Sequence, residues 1–203
     1  MTGLCILLTG FEPFDGESIN PSWQLAQALA GEVIAGHRIV AVRLPCVFGV
    51  SLELLRDAMA KYQPQLVLAL GQGSNRSRLS LERIAINIDD ARIPDNAGAQ
   101  PTDVPIVENG AAAFFSSLPI KTMLTALHDA GIPAEISQSA GTFVCNHVFY
   151  GLMHALAEQP DVRGGFLHVP YLPEQAAQHP GASCLSLADG INGIRIALRA
   201  ALA

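Results

Sequence analysis

The sequence predicts an α/β fold in a single domain, residues 1–203. Two observations lead there. Apolar runs of strand length alternate with segments of helical period, so crossover connections and a mostly parallel sheet covered on both faces are expected. Half of the residues are hydrophobic and 15% are charged, with no Ser/Gly/Pro tract that would divide the chain into separate units. In chain order, Leu4 to Thr9 reads as a first buried strand and Pro21 to Leu29 as the first helix. Ile39 to Leu44 is a strand and Val50 to Tyr62 a helix, followed by strands over Leu66 to Leu70 and Leu79 to Ile88. Ile120 to Ala130 is helical, Ala134 to Ser139 extended, Cys145 to Glu158 helical, and Gly165 to Val169 a strand. A last helix lies near Leu187 to Leu202. Between these, Asp89 to Gly110 carries Pro94, Gly98, Pro101 and Pro105 and reads as a long loop, either a surface excursion, a subunit contact or a functional segment.

The formal charge is −6, and the 12 Lys and Arg residues are scattered singly, which speaks against nucleic-acid binding. No stretch reaches the ~20 apolar residues of a membrane span, and the opening MTGLCILLTG lacks the basic start of a signal peptide. Four cysteines lie far apart without CxxC spacing, which points to free thiols and a cytoplasmic protein. No His/Cys/Asp/Glu cluster has metal-ligand spacing.

Cys145 is the most informative residue. It stands where AGTFVC gives way to a helix, and a helix N-terminus favours the thiolate. In open α/β sheets ligands bind at the carboxyl ends of strands. The ends running into GFEPFDG, GQGSN, AGTFVC and HVPYLP are therefore expected to converge on one edge. A nucleophilic thiol needs a base. Of the six histidines, His147 and His154 point away from Cys145 on the same helix, as solvent-facing or structural residues, and His37, His128 and His179 have polar or helix-end surroundings. His168, at the end of GGFLHV and directly before Pro170, is either a satisfied core residue or the base of Cys145. Glu82 alternates with Ile84, Ile86 and Ile88 on one strand face. It is either the acid that orients His168 or one end of a salt bridge to Arg78, Arg83 or Arg92. Phe11, Phe14 and Phe143 read as core aromatics or as walls of a small flat pocket, with Asn20 and Gln72 supplying amides. Cys5, Cys46 and Cys184 read as inert packing thiols.

The blocks ERIAINIDDARIPDN from Glu82, GTFVCNHVFYGLM around Cys145 and GFLHVPYLPEQ around His168, with TGFEPF and INPS near the start, resemble the pyroglutamyl peptidase I family, also called pyrrolidone carboxyl peptidases. The resemblance spans nearly the whole chain, and GQGSNRSRLSLER is its least typical segment. It implies a single α/β/α domain and a cysteine peptidase whose Cys, His and Glu triad maps to Cys145, His168 and Glu82. It further implies that Phe11, Phe14, Asn20, Gln72 and Phe143 line a pocket for a five-membered lactam, with Arg92 close to the catalytic centre. No cofactor or metal is implied. The partners implied are small peptides with an N-terminal pyroglutamyl group and further copies of the chain in a tetramer. Two other readings of the residues are an amidase or transferase for a different small amide, and a non-catalytic binding protein that keeps the cleft.

Overall fold

The computed structural model describes residues 4–74 and 76–203. In the first half of the chain come β1 (Cys5–Phe11), α1 (Pro21–Leu29), β2 (Val33–Ile34), β3 (His37–Leu44), α2 (Val50–Tyr62) and β4 (Leu66–Gln72). Then follow β5 (Leu79–Glu82), β6 (Ile84–Ile86), β7 (Ala113–Phe115), α3 (Ile120–Asp129) and β8 (Ala134–Ser137). The chain continues with α4 (Val144–Leu156), β9 (Arg163–Val169), α5 (Pro173–Ala176) and α6 (Leu187–Leu202).

A seven-stranded sheet in the order β2-β3-β1-β4-β9-β5-β8 forms the middle layer. β1 and β4 are buried at every position, as strands must be when helices cover both faces. Alternation sorts their side chains. Ile6, Leu8, Leu66, Leu68 and Leu70 face α1, α3 and α6, with Leu25, Met123, Leu127 and Ile194 opposite them. Leu7, Val67, Ala69 and Phe166 face α2 and α4, with Leu55, Val148, Phe149 and Leu152. The result is three layers, α/β/α.

The structure departs from the sequence reading in two places. β3, β1, β4 and β9 are mutually parallel, but β5 runs antiparallel to β9, and β8 follows β5. Only residues 73–78 join β4 to β5, too few to traverse the sheet and return as a parallel crossover would. β5 must therefore start at the end where β4 stops. β8 runs the other way from β1, β4 and β9, yet all four segments expected to converge meet at one cavity, through Phe14, Gln72, Cys145 and His168.

The strand expected over Leu79 to Ile88 also breaks at Arg83, whose N–H bonds Ser137. Beyond the break β6 leaves the main sheet and pairs with β7. Burial changes parity there: Glu82 and Ala85 are buried, while Ile84 and Ile86 are half-exposed. Glu82 thus shares no continuous strand face with the isoleucines.

Residues 89–110 contain no helix or ladder strand and are held by specific anchors. Asp89 bridges Val104. The Asp95 carboxylate accepts the N–H groups of Phe48, Ala97 and Ala99, and Asn87 exchanges two hydrogen bonds with Val107. Among the described residues no helix is long and apolar enough to cross a membrane.

Candidate active site

α4 begins at Val144 with Phe143 as its N-cap residue, and no side chain caps it. α1 and α6, by contrast, are capped by Asn20 and Ser186. The first N–H groups of a helix have no carbonyl partner within it, so those around Cys145 stay available to another acceptor. The two residues after Cys145 lock the helix start in place. Asn146 pairs through its side chain with the backbone of Ile86 and Ile88, mimicking a neighbouring strand. His147 bonds the Asp89 carboxylate through Nδ1 at 2.8 Å and accepts the Gly49 N–H at Nε2. His147 is a buried structural residue rather than a solvent-facing one.

Where Cys145 rests follows from a glycine. A β-carbon on Gly71 would stand 2.7 Å from the Cys145 sulfur and 2.7 Å from the Phe166 ring. Gly71 is the register partner of His168 on the adjacent strand, so the sulfur lies over the same sheet face as the imidazole, one strand away. Gly71→Ala is expected to push the sulfur or the ring aside and to cut kcat/KM by about 100-fold, since misplacement of a reacting group by ~1 Å costs that much. Overpacking should also lower stability by roughly 1–3 kcal/mol. Steady-state kinetics and thermal unfolding of the purified variant check both.

His168 is 5% exposed, and its Nδ1 lies 2.7 Å from Oε1 of Glu82, which is fully buried. An ionised carboxylate can only accept, so Nδ1 carries the proton and Nε2 of the neutral ring holds the lone pair. Glu82 also meets a cation, but none of the three arginines expected for it: Arg76 Nη2 stands 3.2 Å from the same Oε1. Arg78 pairs with Glu135 instead, and Arg83 with Gln138.

The thiol behaves differently from the expectation at a helix start. Burial pushes the Cys145 pKa well above the ordinary thiol range, with the Cys46 thiol and Glu82 adding to the rise. The direction is opposite to the one expected from the helix start alone, although the residue is only partly buried and borders a cavity. Cys46, which is buried, is pushed up to about 12 by burial and by Glu12 and Asp95.

Cys145 and His168 line one cavity of about 580 Å³ with Phe14, Gln72, Arg76, Arg92 and Phe143. A smaller adjoining cavity of about 230 Å³ is lined by Phe14, Asp90, Arg92, Ile93, Thr142 and Phe143. The Phe14 and Phe143 rings are 6.0 Å apart, and Phe48 packs edge-on against Phe143. Phe11 belongs to the core, against Phe166, rather than to either cavity wall. The Asn20 side chain is spent within the protein, donating to the Glu12 carbonyl and accepting from Ser22, so it supports the turn after β1 and does not face the cavities. Gln72 reaches the larger cavity, while its side-chain oxygen accepts a hydrogen bond from Gln175. Among the described residues no group of His, Cys, Asp and Glu is arranged to hold a metal ion.

The sequence profile described as pyroglutamyl peptidase matches residues 4–203. The chain belongs to the pyroglutamyl peptidase family. It is accordingly a cysteine-type peptidase, a hydrolase. Pyrrolidone-carboxylate peptidase from Klebsiella pneumoniae is 58% identical over 197 residues, covering 97% of this chain and 92% of that protein. The protein of the same name from Cupriavidus necator is 56% identical over 199 residues, with 97% and 92% covered. Among solved structures, pyroglutamyl peptidase I from Bacillus amyloliquefaciens superposes with a TM-score of 0.94 at 45% identity, covering 98% of this chain and 96% of that one. A mutant pyrrolidone carboxyl peptidase from the hyperthermophile Pyrococcus furiosus gives 0.95 at 40% identity, with 98% of each chain covered. The α/β/α domain of this family member is thus the fold of its relatives.

Proposed function

We propose that the protein removes an N-terminal pyroglutamyl group from peptides, with Cys145, His168 and Glu82 as a catalytic triad and an acyl-enzyme intermediate. The observation that carries this reading is the 2.7 Å bond from His168 Nδ1 to buried Glu82, beside a sulfur that rests on the register partner of His168. Nε2 takes the proton from the Cys145 thiol, and the sulfur attacks the pyroglutamyl carbonyl carbon. The upward push that burial gives the Cys145 pKa agrees with a thiol that passes its proton to His168 during the reaction. The imidazolium then protonates the leaving amine, and the neutral ring activates the water that hydrolyses the thioester. Unpaired N–H groups at the uncapped start of α4, with Arg92 nearby, suit the developing oxyanion, where each donor is worth ~3 kcal/mol.

Phe14, Ile93 and Phe143 offer a flat apolar slot of a size fit for a neutral five-membered ring. Phe11 and Asn20 act from behind it, through packing and through the turn after β1, and Gln72 borders the larger cavity. A free α-ammonium would give up its hydration on entering this mainly apolar slot and would meet Arg92 as well as Asp90 in its lining, so prolyl and glutamyl termini are expected to be disfavoured. Release of a fluorogenic amine from pyroglutamyl, prolyl and glutamyl conjugates tests this. Pyroglutamyl is expected to be preferred by at least ~100-fold in kcat/KM, and comparable rates on all three would refute the assignment. By the family likeness the working assembly is taken to be a tetramer, and the widely spaced cysteines suggest a reducing compartment, the cytoplasm.

A further inference from the structure

The geometry points to Arg76 as a positioning residue for the proposed triad, one that holds the Glu82 carboxylate in register with His168. This rests on the triad reading above. Glu82 is fully buried at the end of β5, and only its Oε1 is bonded: Oε2 has no hydrogen-bond partner among the described residues. One oxygen therefore serves two donors, His168 Nδ1 at 2.7 Å and Arg76 Nη2 at 3.2 Å. While His168 is neutral, Arg76 is the cation within salt-bridge distance of this buried carboxylate among the described residues. A buried carboxylate without a counter-charge is strongly disfavoured.

The guanidinium is itself pinned. Nη2 also donates to the Ser137 hydroxyl at 3.0 Å and to the Ser139 carbonyl at 3.0 Å, and Nη1 lies 3.7 Å from Glu135. Ser137 is the register partner of Glu82 on β8, so Arg76 spans the ends of both reversed strands. Its stem lies on Gly73, where a β-carbon would come within 2.5 Å of the Arg76 Cγ. The segment 73–78 that reverses the sheet thus also delivers the cation. With Oε2 unbonded, these two donors are the hydrogen bonds that hold the carboxylate toward Nδ1 among the described residues. Arg76 fixes the oxygen that orients the ring and bears the positive charge His168 gains as it takes the thiol proton. Nη2 has two N–H groups for three acceptors, so the Glu82, Ser137 and Ser139 contacts share them, while Nη1 faces Glu135; an ammonium has no second nitrogen to span that spread.

The test compares Arg76→Met, Arg76→Lys and Arg76→Ala by steady-state kinetics on a pyroglutamyl conjugate and by the proton NMR signal of the His168 Nδ1–H. Arg76→Met is expected to lower kcat by ~10- to 100-fold with KM within about twofold, since orientation of a general base contributes on that scale. The Nδ1–H signal should shift or vanish in the same variant. Arg76→Lys should recover part of the rate, and millimolar guanidinium chloride, far below denaturing concentrations, should raise kcat of Arg76→Ala. Turnover of Arg76→Met within twofold of the unaltered protein, with the Nδ1–H signal in place, would overturn the inference. So would guanidinium that restores the melting temperature of Arg76→Ala without restoring its kcat, which would leave Arg76 a structural ion-pair partner only. Failure of the unaltered protein to cleave the conjugate would instead reject the substrate reading, and the NMR comparison would still decide the role of Arg76.

Discussion

Cys145→Ala is expected to abolish release of amine from a pyroglutamyl conjugate, lowering kcat by at least ~10,000-fold, while leaving the protein folded. The magnitude is that of removing the nucleophile from a hydrolase whose remaining binding and oxyanion groups still act. The fold should tolerate the change because the substitution removes one sulfur and no hydrogen-bond anchor. The start of α4 is held by Asn146 and His147, not by the thiol. A melting temperature close to that of the unaltered protein, with the rate lost, identifies the effect as chemical. Cys145→Ser should be nearly as inactive, since a hydroxyl gives up its proton far less readily than a thiol. Retained turnover in either protein would reject Cys145 as the nucleophile.

Glu82→Gln should be the next most damaging change, and in two separable ways. An amide in place of the carboxylate leaves no negative charge to stabilise an imidazolium and can present an N–H to Nδ1, selecting the wrong tautomer. In the analogous serine-protease substitution this costs ~10,000-fold in kcat. The same change removes the nearer of the two carboxylates that face Arg76, leaving Glu135 at 3.7 Å. Breaking a wholly buried ion pair costs ~3–5 kcal/mol, but the Arg76 side chain is 22% exposed and can be partly hydrated, so roughly 2 kcal/mol is expected. For a domain of this size that lowers the melting temperature by about 4–8 °C. Kinetics and thermal unfolding on one preparation read both effects. Turnover within tenfold of the unaltered protein would remove Glu82 from the triad.

Most of the architecture was legible because buried parallel strands and amphipathic helices write their periods plainly. Leu66 to Leu70 is uniformly apolar and Val50 to Tyr62 is amphipathic, and both stand in the structure within two residues of the expected bounds. What escaped was decided by neighbours distant in the chain. The break at Arg83 exists because Ser137 and β7 compete for the backbone on its two sides, and neither contact has a local signature. The reversal of β5 was implied by the brevity of residues 73–78, a length argument that periodicity does not contain. In the site, His168 and Glu82 stood out as polar residues in apolar strands. Arg76 did not, because an arginine in a polar turn looks like any surface arginine until the fold brings Ser137 and Glu82 beside it. Asn20 was legible only as a conspicuous amide, and its INPS context is equally the signature of an N-cap followed by proline. The surroundings of the thiol were likewise not legible: the dipole effect is local and readable, whereas the burial, Cys46 and Glu82 that push its pKa up come from distant parts of the chain.

The sheet order has a further consequence for a chain made from its amino terminus. β9, the last sheet strand to leave the ribosome, belongs in the interior of the sheet, between β4 and β5. Until residues 163–169 are inserted, β4 and β5 each present an open edge to other chains, a hazard for any partly made protein. His168 arrives on that same strand. On the proposed triad, a nascent chain ending before it holds the thiol and Glu82 but lacks the base that would join them, so completing the sheet and acquiring the power to cleave peptides would be a single event.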